Sequence, residues 1–134
     1  MKIGITFSAF DLLHAGHVSM LAEAKQNCDY LIVGLHIDPS LERNNKNKPI
    51  QSLIERQIQL KGCKYVDEII CYESERDLLN ILATTKWDVR IIGEEYRNKI
   101  FTGRTEFAHK DIYYNSRKHS YSSSALRQKI IDQK

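Results

Sequence analysis

Phe10-Asp11-Leu12-Leu13-His14-Ala15-Gly16-His17 is the stretch on which the reading of this chain turns. It follows a β-prone run, Lys2 to Phe7, and precedes Val18, Leu21, Ala22 and Lys25, which recur at helical spacing. Val18, Leu21 and Ala22 are expected on the inner face of that helix. Asp29 to His36 comes next and is almost continuously apolar, as suits a strand covered on both faces. Strand, loop, helix and strand in that order predict a parallel sheet with a right-handed crossover. The two histidines then stand at the mouth of the first helix.

That position has chemical consequences. Backbone N–H groups at a helix N-terminus lack intrahelical partners and, with the positive end of the dipole, attract anions. Gly16 lets a phosphate approach without meeting a Cβ. His14 and His17, three residues apart, can address the same phosphate. Displacement at phosphorus needs positioning and neutralisation of the equatorial oxygens more than it needs a covalent relay. Each donor that engages more strongly in the transition state contributes roughly 3–4 kcal/mol. Two histidines at this spacing can also bind a metal, but no Cys and no Glu-x-x-His partner accompanies them. No residue is therefore assigned as a metal ligand.

Outward from this centre the strand and helix pattern repeats. Ser52-Leu53-Ile54-Glu55 has capping-box spacing and opens a helix that Gly62 closes. Val66 to Cys71 predicts a third strand, and Ser74 caps a helix running to about Ala83. Val89-Arg90-Ile91-Ile92-Gly93 predicts a fourth strand, and Ile112-Tyr113-Tyr114 a weaker fifth. Ser122-Ser123-Ser124 opens a last helix through Ile131. Pro39 to Pro49 and Glu94 to Lys110 carry no regular period, and loops that follow strands in such domains hold ligands. Trp87 reads as core, and His36 and His109 as structural or surface residues.

The bulk numbers agree with a single domain over residues 1–134, with 42% hydrophobic and 28% charged residues. The N-terminus is too soon interrupted by polar residues for an export signal, and no apolar run is long enough to span a membrane. Cys28, Cys63 and Cys71 form an odd set without a Cys-x-x-Cys pair, so neither a disulfide framework nor a zinc ribbon is expected. A cytoplasmic location follows as the expectation. Net charge is +3, yet Arg43, Lys46 and Lys48 crowd one stretch, and Arg117, Lys118, His119, Arg127 and Lys129 another. Taken singly, each cluster reads as a solvated basic face.

Taken together, Phe10 to His17, Lys64-Tyr65-Val66-Asp67-Glu68, Gly93-Glu94-Glu95-Tyr96 and Arg117 to Ser124 resemble, in order, the motifs of the cytidylyltransferase-like nucleotidyltransferases. The nearest likeness is to the glycerol-3-phosphate cytidylyltransferase branch. The resemblance implies a dimeric, three-layer, Rossmann-like α/β domain with a central parallel sheet. It implies a nucleoside triphosphate, CTP by preference, bound with Mg²⁺ that is held mainly through the triphosphate. A phosphorylated small alcohol, glycerol 3-phosphate or similar, then attacks in line at the α-phosphorus, and pyrophosphate leaves. By that likeness His14, His17, Lys46 and Arg117 are the catalytic residues. Phe7, Ser8, Ala9, Phe10, Gly16, Lys48, Gly93, Glu94, Ser122, Ser123, Ser124 and Arg127 would bind the nucleotide. Asp11, Lys64 and Glu95 would meet the substrate, although Asp11 also suits a structural role in the turn. Neither a membrane nor a nucleic acid is expected as partner.

Three departures stand out. Ser8-Ala9 replaces the usual Gly-Thr or Gly-Val, Lys64 replaces an arginine, and Arg117-Lys118-His119-Ser120 replaces Arg-Thr-Glu-Gly. The last falls where base and acceptor are expected. An adenylyltransferase that uses ATP on a sugar phosphate or flavin-type acceptor is the rival within the class. Outside it stand a non-catalytic nucleotide- or RNA-binding module and, third, a metal-dependent hydrolase.

Overall fold

The apolar runs pair as one sheet. A computed structural model describes residues 1–116 and 123–133, with side chains omitted at 123–125. Strands β1 (Ile3–Ser8), β2 (Tyr30–His36), β3 (Glu68–Tyr72), β4 (Val89–Gly93) and β5 (Asp111–Asn115) run parallel in the order β3-β2-β1-β4-β5. β1 is central, and the order reverses direction beside it, which makes its carboxyl end the ligand-binding crevice of this fold type. The parallel sheet is the one that the strand and helix alternation predicts, and the α/β, Rossmann-like, three-layer arrangement is the one that the resemblance implies.

Among the described residues four α-helices accompany the sheet: α1 (Ala15–Gln26), α2 (Leu53–Lys61), α3 (Glu75–Thr84) and α4 (Ser123–Asp132). Alternation along the strands sends Leu31, Val33 and Leu35 to one face, where they bury Leu21 and Ala24 of α1 and Leu60 of α2. Ile3, Ile5 and Ile32 face the other way onto Leu78 and Leu82 of α3 and Trp87. Trp87 is 2% exposed, and its indole N–H donates to the Leu82 carbonyl at 2.8 Å. Ser52 and Ser74 each close a reciprocal capping box, with Glu55 and Asp77 respectively.

Several boundaries differ from the expectation. The inner face of α1 is made by Leu21 and Ala24, while Val18, in the first turn, is 37% exposed. The third strand starts two residues late. Asp67 first closes its entry with a carboxylate that takes the Leu31 N–H at 2.8 Å and pairs with Lys25. The stretch from Pro39 begins with a 3-10 turn, Pro39–Leu41, and Glu94–Tyr96 forms another after β4. The rest of that second loop is tied down: Phe107 packs on Trp87, and the Lys110 ammonium donates to the Trp87 carbonyl at 2.7 Å.

Gly34 is a packing requirement. A Cβ there would lie 2.2 Å from Cδ1 of Phe7, its register partner on β1. Gly34→Ala therefore displaces the Phe7 ring and is expected to cost about 1–3 kcal/mol, read as a lower urea midpoint at unchanged slope. An unchanged midpoint would show that the ring has room to move.

Candidate active site

Between the end of β1 and the start of α1 the chain turns through two residues in the left-handed region, Phe10 (φ 48°) and Leu12 (φ 52°). Such backbone costs about 1–3 kcal/mol per residue and persists only where the surroundings over-determine it. Phe10 is 1% exposed, so its ring is an anchor. The Asp11 carboxylate accepts from the backbone N–H groups of Ile50 and Gln51 at 2.8 and 3.0 Å, and pairs with Arg127 at 2.6 Å. The Leu12 N–H donates to Oε1 of Gln51 at 2.8 Å. Residues 50 and 51 thus clamp the strained turn that carries the histidines.

The histidines cap the helix they begin. His14 is the N-cap, and its Nδ1 accepts the Gly16 N–H at 3.0 Å. Nδ1 of His17 in turn accepts the His14 N–H at 3.4 Å, so the pair forms a capping box built of imidazoles. In a neutral imidazole one ring nitrogen accepts and the other carries the proton. With both Nδ1 atoms accepting, the network assigns the protons to Nε2 and leaves each Nε2–H as a donor. The rings stack at 3.9 Å with an interplanar angle of 21°, and Phe10 meets His17 edge-on at 5.4 Å. Burial, then the neighbouring His14, push the His17 pKa down to about 4 against a pull from Asp11. His17 is therefore a neutral donor at physiological pH.

Arg56 of α2 holds the floor beneath this turn. It is 2% exposed and donates to four carbonyls: Gln51 at 3.3 Å, Ala9 at 3.0 Å, His36 at 2.7 Å and Ile37 at 2.6 Å. One guanidinium thereby joins the loops that leave β1 and β2. Its pKa is lowered by burial, with Asp11 and Asp38 acting to retain the charge.

On the α3 side of the same sheet edge opens a cleft of about 200 Å³. Phe7, Ser8, Ala9, Lys46, Ile92 and Tyr96 line it, with the buried Arg90 at its floor. Of the residues expected at the site, the structure brings Phe7, Ser8, Ala9 and Lys46 to this cleft, and His14, Gly16, His17 and Phe10 to the adjoining helix mouth. Lys48 is exposed in the loop after β2. Gly93 ends β4 at the same sheet edge, Glu94 and Glu95 follow it, and the Glu95 carboxylate folds back over Gly93.

Other placements are corrections. Lys64, expected at the substrate, precedes β3 at the opposite, amino edge of the sheet, with its ammonium 5.2 Å from the Tyr65 ring. Parallel strands put that edge a strand length from the histidines. Asp11, placed with the substrate and also read as suited to a structural role in the turn, is engaged with the backbone of Ile50 and Gln51 and with Arg127. Arg127, expected at the phosphates, carries that ion pair. Arg117 and Ser122 lie outside the described residues, as do the side chains of Ser123 and Ser124, whose backbone opens α4.

Arg56, Arg90, His36 and Tyr72 were not among the expected site residues. Tyr72 is 5% exposed and stacks on His36 at 4.5 Å inside the cleft. Arg90 had a signal in the sequence, a lone cation inside the apolar run Val89 to Ile92.

Residues 5–129 match the cytidylyltransferase-like family, and the chain belongs to it. It is 38% identical over 130 residues, 96% of its length, to the bifunctional protein HldE of Helicobacter pylori (strain HPAG1). It is 42% identical over 96 residues to the protein of the same name from Paramagnetospirillum magneticum, covering 71% of this chain. The matched segments are 27% and 20% of those relatives, so the chain spans only about a quarter of their length. Among solved structures, the lipopolysaccharide core biosynthesis protein from Thermoplasma volcanium superposes with a TM-score of 0.67 at 26% identity, over 91% of this chain and 99% of that one. Pantoate-beta-alanine ligase from Francisella tularensis, at 18% identity and a TM-score of 0.65 over 94% of this chain and 65% of that one, shares the fold. No helix among the described residues is long and apolar enough to cross a membrane.

Proposed function

We propose that this chain transfers a nucleoside monophosphate, CMP from CTP first, to a phosphorylated small-molecule acceptor. An acceptor phosphate oxygen forms a bond to the α-phosphorus, the bond to the bridging oxygen on its far side breaks, and pyrophosphate carries away the electron pair. The observation that carries this reading is the imidazole capping box, which engages both Nδ1 atoms as acceptors at the mouth of α1 and so keeps the proton of each neutral ring on Nε2. Donors fixed before the substrate arrives need no reorganisation as charge builds on the phosphoryl oxygens.

Lys46, with Lys48 in the same loop, supplies cationic charge from the cleft side, and Arg117, Ser122, Ser123 and Ser124 contact the phosphates as the family resemblance implies. Gly93 and Glu94 serve the nucleoside. Mg²⁺ enters on the triphosphate and neutralises its charge. That suits a cation that keeps most of its own waters and takes only one or two protein ligands. ATP is the second donor, because a ligase sharing this fold was solved with beta-gamma ATP.

The test is pyrophosphate release from CTP and ATP, each with a panel of phosphorylated alcohols and acids that includes glycerol 3-phosphate. Release that requires both a triphosphate and a phosphorylated acceptor is expected. Silence from both triphosphates across the panel would overturn the reading.

A further inference from the structure

Arg90 is a buried charge that nucleotide binding does not account for. It lies within β4, opposite Ile5 in register, and is 6% exposed. Its guanidinium sits between two rings, 5.2 Å from the centre of Phe7 and 5.1 Å from that of Phe101. Nη1 donates to the Thr102 carbonyl. Among the described residues no carboxylate forms an ion pair with it, and Nε and Nη2 make no hydrogen bond. Nor are those nitrogens sealed off: they are absent from the fully buried, unpartnered atoms, and Arg90 borders the cleft.

Keeping a guanidinium out of water without a hydrogen-bonded anion is costly; Glu75 acts on it only through space, and two aromatic faces repay only part of the cost. Burial lowers the Arg90 pKa to about 10, so the group stays cationic at neutral pH. The donors left over are adjacent on one edge of a planar fork, the arrangement that takes a carboxylate through two parallel hydrogen bonds. The surroundings add detail. The Tyr72 hydroxyl, in the same cleft, makes no hydrogen bond among the described residues. Glu75 pairs through Oε1 with Arg43 at 2.8 Å, while its Oε2 is buried without a partner. An unpartnered buried carboxylate oxygen calls for a donor, which a ligand hydroxyl supplies.

We propose that this floor is an acid subsite: the acceptor is a phosphorylated hydroxy acid whose carboxylate docks on the Nε–Nη2 edge of Arg90. Its hydroxyl groups meet Glu75 and Tyr72, and its phosphate reaches the nucleotide across Ser8 and Ala9. The assignment deepens the nucleotidyl-transfer reading and rests on it for the role of the phosphate.

Binding is measured by calorimetry without nucleotide, using two matched pairs: glycerol 3-phosphate with 3-phosphoglycerate, and glucose 6-phosphate with 6-phosphogluconate. In at least one pair the acid is expected to bind about tenfold tighter or more, the scale of a charge-assisted bidentate contact. Arg90→Gln should erase that difference, and Arg90→Lys, which keeps the charge but not the fork, should retain part of it. No preference for the acid in either pair, or a preference that survives Arg90→Gln, overturns the proposal. The wild-type comparison decides by itself if the variants fold poorly. Pyrophosphate release assayed alongside separates the two claims. Acid preference without release keeps the subsite and removes the transfer reading, whereas release supported equally by neutral and acidic acceptors does the reverse.

Discussion

His17→Ala should lower kcat for pyrophosphate release at least about a hundredfold while the chain remains folded. Two things are lost together: an Nε2–H donor at the phosphoryl oxygens, and the acceptor that holds the His14 N–H at 3.4 Å. The first acts only when charge develops, so it belongs in kcat. The second is a cap, worth about 1 kcal/mol and open to replacement by water at the helix mouth. His17→Asn, which restores a cap acceptor but places its amide elsewhere, should recover stability and not rate. Release within a fewfold of wild type by His17→Ala would refute the role. The ring also makes a prediction about protons. Its folded pKa is depressed to about 4 from 6.5, so the unfolded chain binds the proton first. His17 therefore contributes stability that is present above about pH 6.5 and lost as pH falls toward 4. An NMR titration of the His17 ring should show a midpoint near 4, and His17→Ala should flatten the stability profile across that window. A midpoint near 6.5 would mean that the ring is solvated and not held in the capping box.

How much of this could be read beforehand depends on whether the signal is local. The strands and helices were legible because burial on two faces, helical spacing and Ser caps are short-range patterns, and Ser52 and Ser74 cap as their spacing implies. The helix mouth and its histidines were legible for the same reason, since strand, turn and helix are consecutive. The reciprocal imidazole cap is legible in the same way, because His14 and His17 have the N-cap to N3 spacing of Ser52 and Glu55. What could not be read was any partnership made by the fold. Asp11 meets Arg127 across 116 residues of chain, and Arg56 meets Ala9 across 47. Lys64 shows the converse: a motif residue carries no mark of which sheet edge it occupies, and β3 starts after it. Arg90 was visible as an anomaly in an apolar run, yet its meaning depended on the loop that brings Phe101 and Thr102 over it.

Arg56→Met should destabilise the chain by about 3–5 kcal/mol and raise KM for the triphosphate. Methionine keeps the apolar stem and abandons four carbonyls, those of Ala9, His36, Ile37 and Gln51. Each hydrogen bond from a charged donor is worth about 1.5–3 kcal/mol, and the buried acceptors left behind find water only partly, so the sum falls short of four full bonds. The functional part follows from geometry. Ala9 precedes the two left-handed residues, and Gln51 supplies both a backbone N–H to Asp11 and a side-chain acceptor to the Leu12 N–H. Releasing those two carbonyls from a common anchor lets the strained turn relax, and the histidines move with it. Arg56→Lys, which keeps the charge but cannot fork to four acceptors, should fall between Met and wild type in both stability and KM. Urea denaturation and steady-state kinetics read the two effects separately. A loss below about 1 kcal/mol would show the carbonyls to be well hydrated without the guanidinium, and an unchanged KM at lowered stability would confine Arg56 to the fold.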